Sequence, residues 1–262
     1  MALIEVEGGV VDVVSVGEGP DLVLLHSLLI DRSAFERVLP ALARSRRLHL
    51  VALPGFDGST PAGPAVEDYA DRVAGAVSAL ELGSGSAVLG NGFGGFIALA
   101  LAARHGGLFD KLLLVDSAAS FPDAARGAFA TMAQRVTAGG MEAVAEIAAR
   151  RIFHDAYLAA HPEAVAERGA VLRRFDRDAF VTACRALERV DLRWALPQIG
   201  QPTLVVVGAL DAATPVELAR ELAGHIPDAE FVLLPSCGHC PPLEQPEAFL
   251  DAVGPFLGIA GR

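Results

Sequence analysis

Cysteine is scarce in this 262-residue chain: Cys184, Cys237 and Cys240 are an odd and small number, which excludes a disulfide framework and suits a reducing compartment. Positive charge is also short. Twenty-one Lys and Arg face 32 Asp and Glu, and the resulting formal charge of −11 opposes phosphate backbones and anionic lipid, so no nucleic-acid partner is expected. The first ten residues carry no basic segment ahead of an apolar run, and no apolar stretch approaches the roughly 20 residues of a membrane span. The expected location is therefore cytoplasmic, without a membrane partner. Internal repeats are missing, and the only compositional bias is alanine-rich helix.

What the chain does have is apolar bulk. Hydrophobic residues make up 52% and charged residues 20%, enough for a large core. Short β-branched runs at 9–16, 22–26, 48–53, 86–90, 112–116, 203–208 and 230–234, each bounded by Gly, Pro or Asp, read as strands. Helical periodicity fills 66–82, 93–105, 215–226 and 246–256, and such alternation implies an α/β fold with a largely parallel central sheet flanked by helices. At the start, 3–6 and 10–16 are joined through Gly8 and Gly9 and read as an antiparallel hairpin. Strand signals vanish over about 120–196, leaving Ala-, Arg- and Glu-rich helix broken at Gly139, Gly140 and Pro162. We read one domain, with core 1–119 and 197–262 and a helical lid inserted between the sixth and seventh strands, over the strand ends where open α/β sheets place ligands.

Chemistry concentrates at three strand ends. Gly90-Asn91-Gly92-Phe93-Gly94-Gly95 joins a strand directly to a helix in the frame of a nucleophile elbow, with glycine at the centre where a serine would stand. The same glycines match dinucleotide-binding spacing, but on the fifth strand rather than the first, and on their own favour neither reading. The C-terminal context decides. Asp211 follows the run 203–208 and precedes the Thr214-Pro215 helix start, and His239 follows the next strand, giving the chain order nucleophile, acid, base. Plainer roles exist, a helix cap for Asp211 and an ordinary loop histidine for His239, and the shared order weighs against both. His26-Ser27-Leu28 follows the third strand, so the backbone N–H groups of Leu28 and Phe93 are candidate oxyanion donors. His26 reads as a buttress of that loop, and His26, Ser27 and Asn91 as pocket candidates; Ser27 is not taken as a substitute nucleophile. His49, His105, His154, His161 and His225 read as surface or lid residues. Cys237-Gly238-His239-Cys240 spells a dithiol motif, but Pro241 and Pro242 follow it and no second ligand pair exists for zinc, so neither redox chemistry nor a metal site is expected.

Through Leu24-Leu25-His26-Ser27-Leu28, Leu53-Pro54-Gly55-Phe56-Asp57-Gly58-Ser59, the elbow and the Asp211 and His239 segments, the whole chain resembles the α/β-hydrolase superfamily. The Ala138-Gly139-Gly140-Met141 turn, Asp191-Leu192-Arg193 and Glu244-Gln245-Pro246 look like the 3-oxoadipate enol-lactonase group. The resemblance implies a small ester or lactone as substrate, a serine nucleophile at position 92, glycine at position 27, and no metal or organic cofactor. This sequence has Gly92 and Ser27 instead. Three readings follow: a glycine introduced to trap substrate; an enzyme in which His239 and Asp211 activate water or the substrate without a nucleophile at 92; or a non-catalytic protein that binds a small carbonyl compound on a hydrolase fold.

Overall fold

The computed structural model describes residues 2–259. In chain order the first elements are β1 (Ala2–Val6), β2 (Gly9–Val16), β3 (Asp21–Leu25), the short α1 (Leu39–Leu42), β4 (Arg47–Val51), α2 (Val66–Ala79), β5 (Ala87–Asn91), α3 (Phe93–His105) and β6 (Lys111–Val115). Five helices follow: α4 (Asp123–Gly139), α5 (Glu142–Ile152), α6 (Asp155–Ala160), α7 (Glu163–Leu172) and α8 (Arg177–Arg189). The chain then returns through β7 (Thr203–Gly208), α9 (Val216–His225), β8 (Glu230–Leu234), α10 (Pro241–Glu244) and α11 (Pro246–Leu257).

The eight strands form one sheet in the order β1-β2-β4-β3-β5-β6-β7-β8. The β1–β2 and β2–β4 pairs are antiparallel, and every pair from β4–β3 to β7–β8 is parallel. All residues of β3, β5 and β7 are buried, because helices cover both faces of the parallel part and leave no polar side for alternation. The hairpin turn lies one residue earlier than its glycines suggest: Gly9 already pairs with Val6, leaving Glu7 and Gly8 at the tip, with Gly8 at φ 79°. The helix expected over 66–82 stops at Ala79, since Glu81 takes φ 49° and the Gly83 N–H donates to the Asp21 carboxylate.

His49 corrects the sequence reading. It is buried in β4, not on the surface or in the insertion, with Nδ1 2.8 Å from Ser15 Oγ on β2 and Nε2 2.8 Å from Asp21 Oδ1 on β3. Burial alone would raise the Asp21 pKa, but Arg47, the Gly83 amide and His49 more than offset it and hold the carboxyl well below the usual range.

Two features aim the site. Glycine is required on both sides of the β5–α3 junction: a Cβ on Gly90 would overlap the Gly94 carbonyl, one on Gly94 the Leu25 carbonyl, and one on Gly95 would press on Ser117. These glycines set the distance between strand and helix rather than cradle a phosphate. The second feature is the insertion between β6 and β7, closed at its base by Arg126, whose guanidinium donates to the carbonyls of Phe121, Glu188 and Val190 at 2.8–3.0 Å. A bridge between Ser120 and Asp191 and the bond from Leu192 N–H to Ala119 O (2.8 Å) complete the stem. Among the described residues no helix is long and apolar enough to cross a membrane.

Candidate active site

Asp211 lies in the turn after β7, which folds back so tightly that a Cβ on Gly208 would overlap the Gly238 carbonyl of the facing loop. Its Oδ1 accepts the N–H groups of Ala213 (2.7 Å) and Thr214 (3.0 Å), and Oδ2 accepts Thr214 Oγ1–H (2.6 Å) and faces His239 Nδ1 at 2.8 Å. Burial works to raise the Asp211 pKa; the His239 ring and the Thr214 donors outweigh it and keep the carboxyl below its ordinary value. With Nδ1 turned to Asp211, Nε2 of His239 is the nitrogen left for the pocket.

The backbone of His239 is held from three directions. Its N–H donates to Ile152 O at the end of α5 (2.8 Å), and its carbonyl accepts Asn91 Nδ2–H from β5 (3.1 Å). The preceding Gly238 N–H donates to the Glu244 carboxylate, which also takes the His154 N–H (3.3 Å) and faces His154 Nε2 at 3.1 Å.

Gly92 sits at the elbow with φ 53° and ψ −116°, a backbone state that strains any side chain. A Cβ built there would lie 2.8 Å from His239 Nε2 and 2.9 Å from Ser27 Cβ, and would overlap Ser27 Oγ. The place where a residue-92 side chain would begin is thus filled by the Ser27 hydroxyl, itself 3.4 Å from His239 Nε2. Leu28 and Phe93 are both buried, and no described residue accepts a hydrogen bond from either backbone N–H. Unpaired buried amides are uncommon, and here they follow Ser27 and Gly92 directly in the chain.

Of the three pocket candidates, only Ser27 lines the cavity. The His26 ring is spent on backbone, its Nδ1–H donating to Ser27 O (2.9 Å) and its Nε2 accepting Leu53 N–H (3.1 Å), and burial holds its pKa below the ordinary 6.5. Asn91 braces Val115 and His239 from behind the site. The cavity has a volume of about 40 Å³, walled by Phe96, Phe121, Phe129, Met132 and Leu187 with Gly92 and His239 at its floor. That space is large enough for water.

The sequence reading passed over two residues. Asp116 follows β6 as Asp211 follows β7, a signal visible in Leu114-Val115-Asp116; it is fully buried with φ 46°, and its Oδ1 accepts Gly208 N–H at 2.8 Å. Burial and then the adjacent Asp211 charge push its carboxyl well above the ordinary range. Arg151, the last basic residue of α5, reaches the cavity wall, and its guanidinium donates to no described residue; nothing in the alanine-rich helix distinguished it from its neighbours. The two cysteines of the dithiol motif are free and buried, and burial pushes both thiols far up, so neither is a ready nucleophile. Among the described residues, no three His, Cys, Asp or Glu side chains cluster to hold a metal ion.

A mostly parallel sheet, a glycine-bounded elbow after β5 and an Asp–His pair beyond β7 and β8 define the α/β hydrolases, and the chain belongs to the alpha/beta hydrolase family, which it matches over residues 22–252. Among particular relatives, it is 31% identical to the pimeloyl-[acyl-carrier protein] methyl ester esterase of Aeromonas hydrophila subsp. hydrophila, over 92% of this chain and 97% of the relative. Its fold is similar to the crystal structure of the enol-lactonase from Burkholderia xenovorans LB400, with a TM-score of 0.88, 28% identity and coverage of 97% and 98% of the two chains. It is also similar to a thermophilic esterase from Thermogutta terrifontis solved with malate bound, with a TM-score of 0.86, 26% identity and coverage of 98% and 97%.

Proposed function

We propose that this chain hydrolyses a small ester or lactone, with His239 as the base, Asp211 orienting it and the Leu28 and Phe93 amides receiving the negative charge that develops on the carbonyl oxygen. The observation that carries this reading is the 2.8 Å contact between His239 Nδ1 and Asp211 Oδ2, which leaves Nε2 facing a cavity bordered by two unpaired amides. The base takes a proton from the attacking oxygen, and the amides stabilise the tetrahedral oxyanion more than the planar ground state. Position 92 contributes space and no nucleophile. Esterase and enol-lactonase relatives support the substrate class, and Arg151 on the cavity wall favours an ester or lactone that carries a carboxylate of its own.

The glycine belongs to the working site. A serine at position 92 collides with Ser27 in its present position, so Gly92 and Ser27 form a matched pair rather than an intact serine site with one atom removed. The test is an assay of the purified chain against aryl esters and small lactones, some with a distal carboxylate, beside His239→Ala and Arg151→Met. Turnover lost in His239→Ala is expected, with a raised KM for carboxylated substrates alone in Arg151→Met. Ligand binding without turnover would support the rival reading of a non-catalytic binding protein.

A further inference from the structure

Ser27 Oγ is buried, faces His239 Nε2 at 3.4 Å and has no other hydrogen-bond partner among the described residues. Such a separation is common for a nucleophile and its base before substrate arrives. The hydroxyl is also held in place. The Ser27 carbonyl takes the His26 Nδ1–H, the His26 carbonyl takes the Gly94 N–H at the first turn of α3 (3.0 Å), and the His26 ring is fixed in turn by Leu53 N–H. A loop pinned at both peptide groups presents its side chain with little freedom. Gly92 leaves open the volume this hydroxyl occupies, and among the described residues no other hydroxyl lies within hydrogen-bond reach of Nε2. Thr214 Oγ1 is on the Nδ1 side, 3.4 Å away and committed to Asp211.

We infer that Ser27 is the nucleophile of this enzyme, so that the attacking oxygen comes from the loop after β3 and not from the elbow; the inference rests on the ester or lactone reading above. Ser27 Oγ gives its proton to His239 Nε2 and bonds to the substrate carbonyl carbon, whose π pair moves onto oxygen beside the Leu28 and Phe93 amides. The oxyanion collapses, the C–O bond to the leaving group breaks, and that alkoxide takes the proton from His239 Nε2. An ester on Ser27 remains. Water then gives a proton to His239 and adds to this ester, Ser27 Oγ departs and is reprotonated, and the carboxylic acid leaves. The sum is ester plus water to acid plus alcohol, or lactone plus water to hydroxy acid, with no further reactant. Leu28 thereby supplies the amide next after the nucleophile in the chain, and Phe93, at the first turn of α3, supplies the second.

The full chain is incubated with a fluorophosphonate probe and followed by intact mass and peptide mapping, while 4-nitrophenyl acetate and a set of small lactones report turnover. The expected result is one adduct on Ser27, absent in Ser27→Ala and formed at least about 100-fold more slowly in His239→Ala. In the exchanged variant Ser27→Gly/Gly92→Ser the adduct moves to position 92. Ser27→Cys, which keeps the side chain's size, retains an acyl-enzyme trapped by acid quench, and thermal melts confirm that each variant is folded. Turnover that survives in folded Ser27→Ala but is lost in His239→Ala would overturn Ser27 while leaving the ester or lactone reading intact. So would a Ser27→Ala rate loss with no adduct in the parent, which would make Ser27 a holder of water. An adduct on Ser27 with no turnover of any ester or lactone keeps the nucleophile and overturns the substrate class; no adduct and no turnover overturns both.

Discussion

At the scale of single residues, the site turns on two positions that share one volume. Gly92→Ser places a side chain in a strained backbone state and against Ser27 Oγ, so it is expected to destabilise the fold by about 1–3 kcal/mol, read from denaturant melts. Adding Ser27→Gly removes the collision with Ser27, though not the approach to His239 Nε2, and should recover about 1 kcal/mol or more, a coupling that additive, independent sites would not show. Sequence made each half of this pair visible and the pair itself invisible. Gly92 stood out because it breaks a serine motif; Ser27 looked like a wall residue, because nothing in the chain says that positions 65 residues apart compete for the same space. Asp211 and His239 were legible because their type, order and place after strands are set by the fold. Arg151 was not, since a helix in an insertion shows its inward face only once it is packed.

At the scale of elements, the parallel strands are short apolar runs between glycines and prolines, which is why all six, β3 to β8, could be read within a residue or two of their ends. Helix ends were less legible where tertiary bonds set them, as Asp21 does beyond α2. His49 was misplaced for the same reason: its partners lie on two other strands. The insertion was visible as a loss of strand signal, but its closure by Arg126 depends on three carbonyls that no local pattern marks. Arg126→Leu leaves those carbonyls without their donor and is expected to cost about 2–3 kcal/mol. Limited proteolysis should then cut within 120–196 sooner than in the parent, while the parallel sheet stays protected; unchanged cleavage kinetics would refute the clamp.

For the whole molecule, stability should fall towards both ends of the pH scale for identifiable reasons. His26 is held neutral by burial, so below about pH 6.5 the unfolded chain takes up that proton first and stability is lost as pH falls; His26→Gln should flatten the slope of Tm between pH 7 and 5. Asp116 acts in the opposite direction. Its raised carboxyl contributes fully below pH 3.8 and loses that contribution as pH rises, so Asp116→Asn is expected to melt a few degrees higher than the parent at pH 8, with the gap closing towards pH 4. A gap that widened on acidification would contradict the assignment.

The hydrogen bond from His239 N–H to Ile152 O ties the base to the end of α5, and the Glu244 carboxylate ties the same loop to His154 just beyond it. The base is thus anchored to the insertion as well as to the sheet, so a change that loosens the end of α5 is expected to loosen His239 with it.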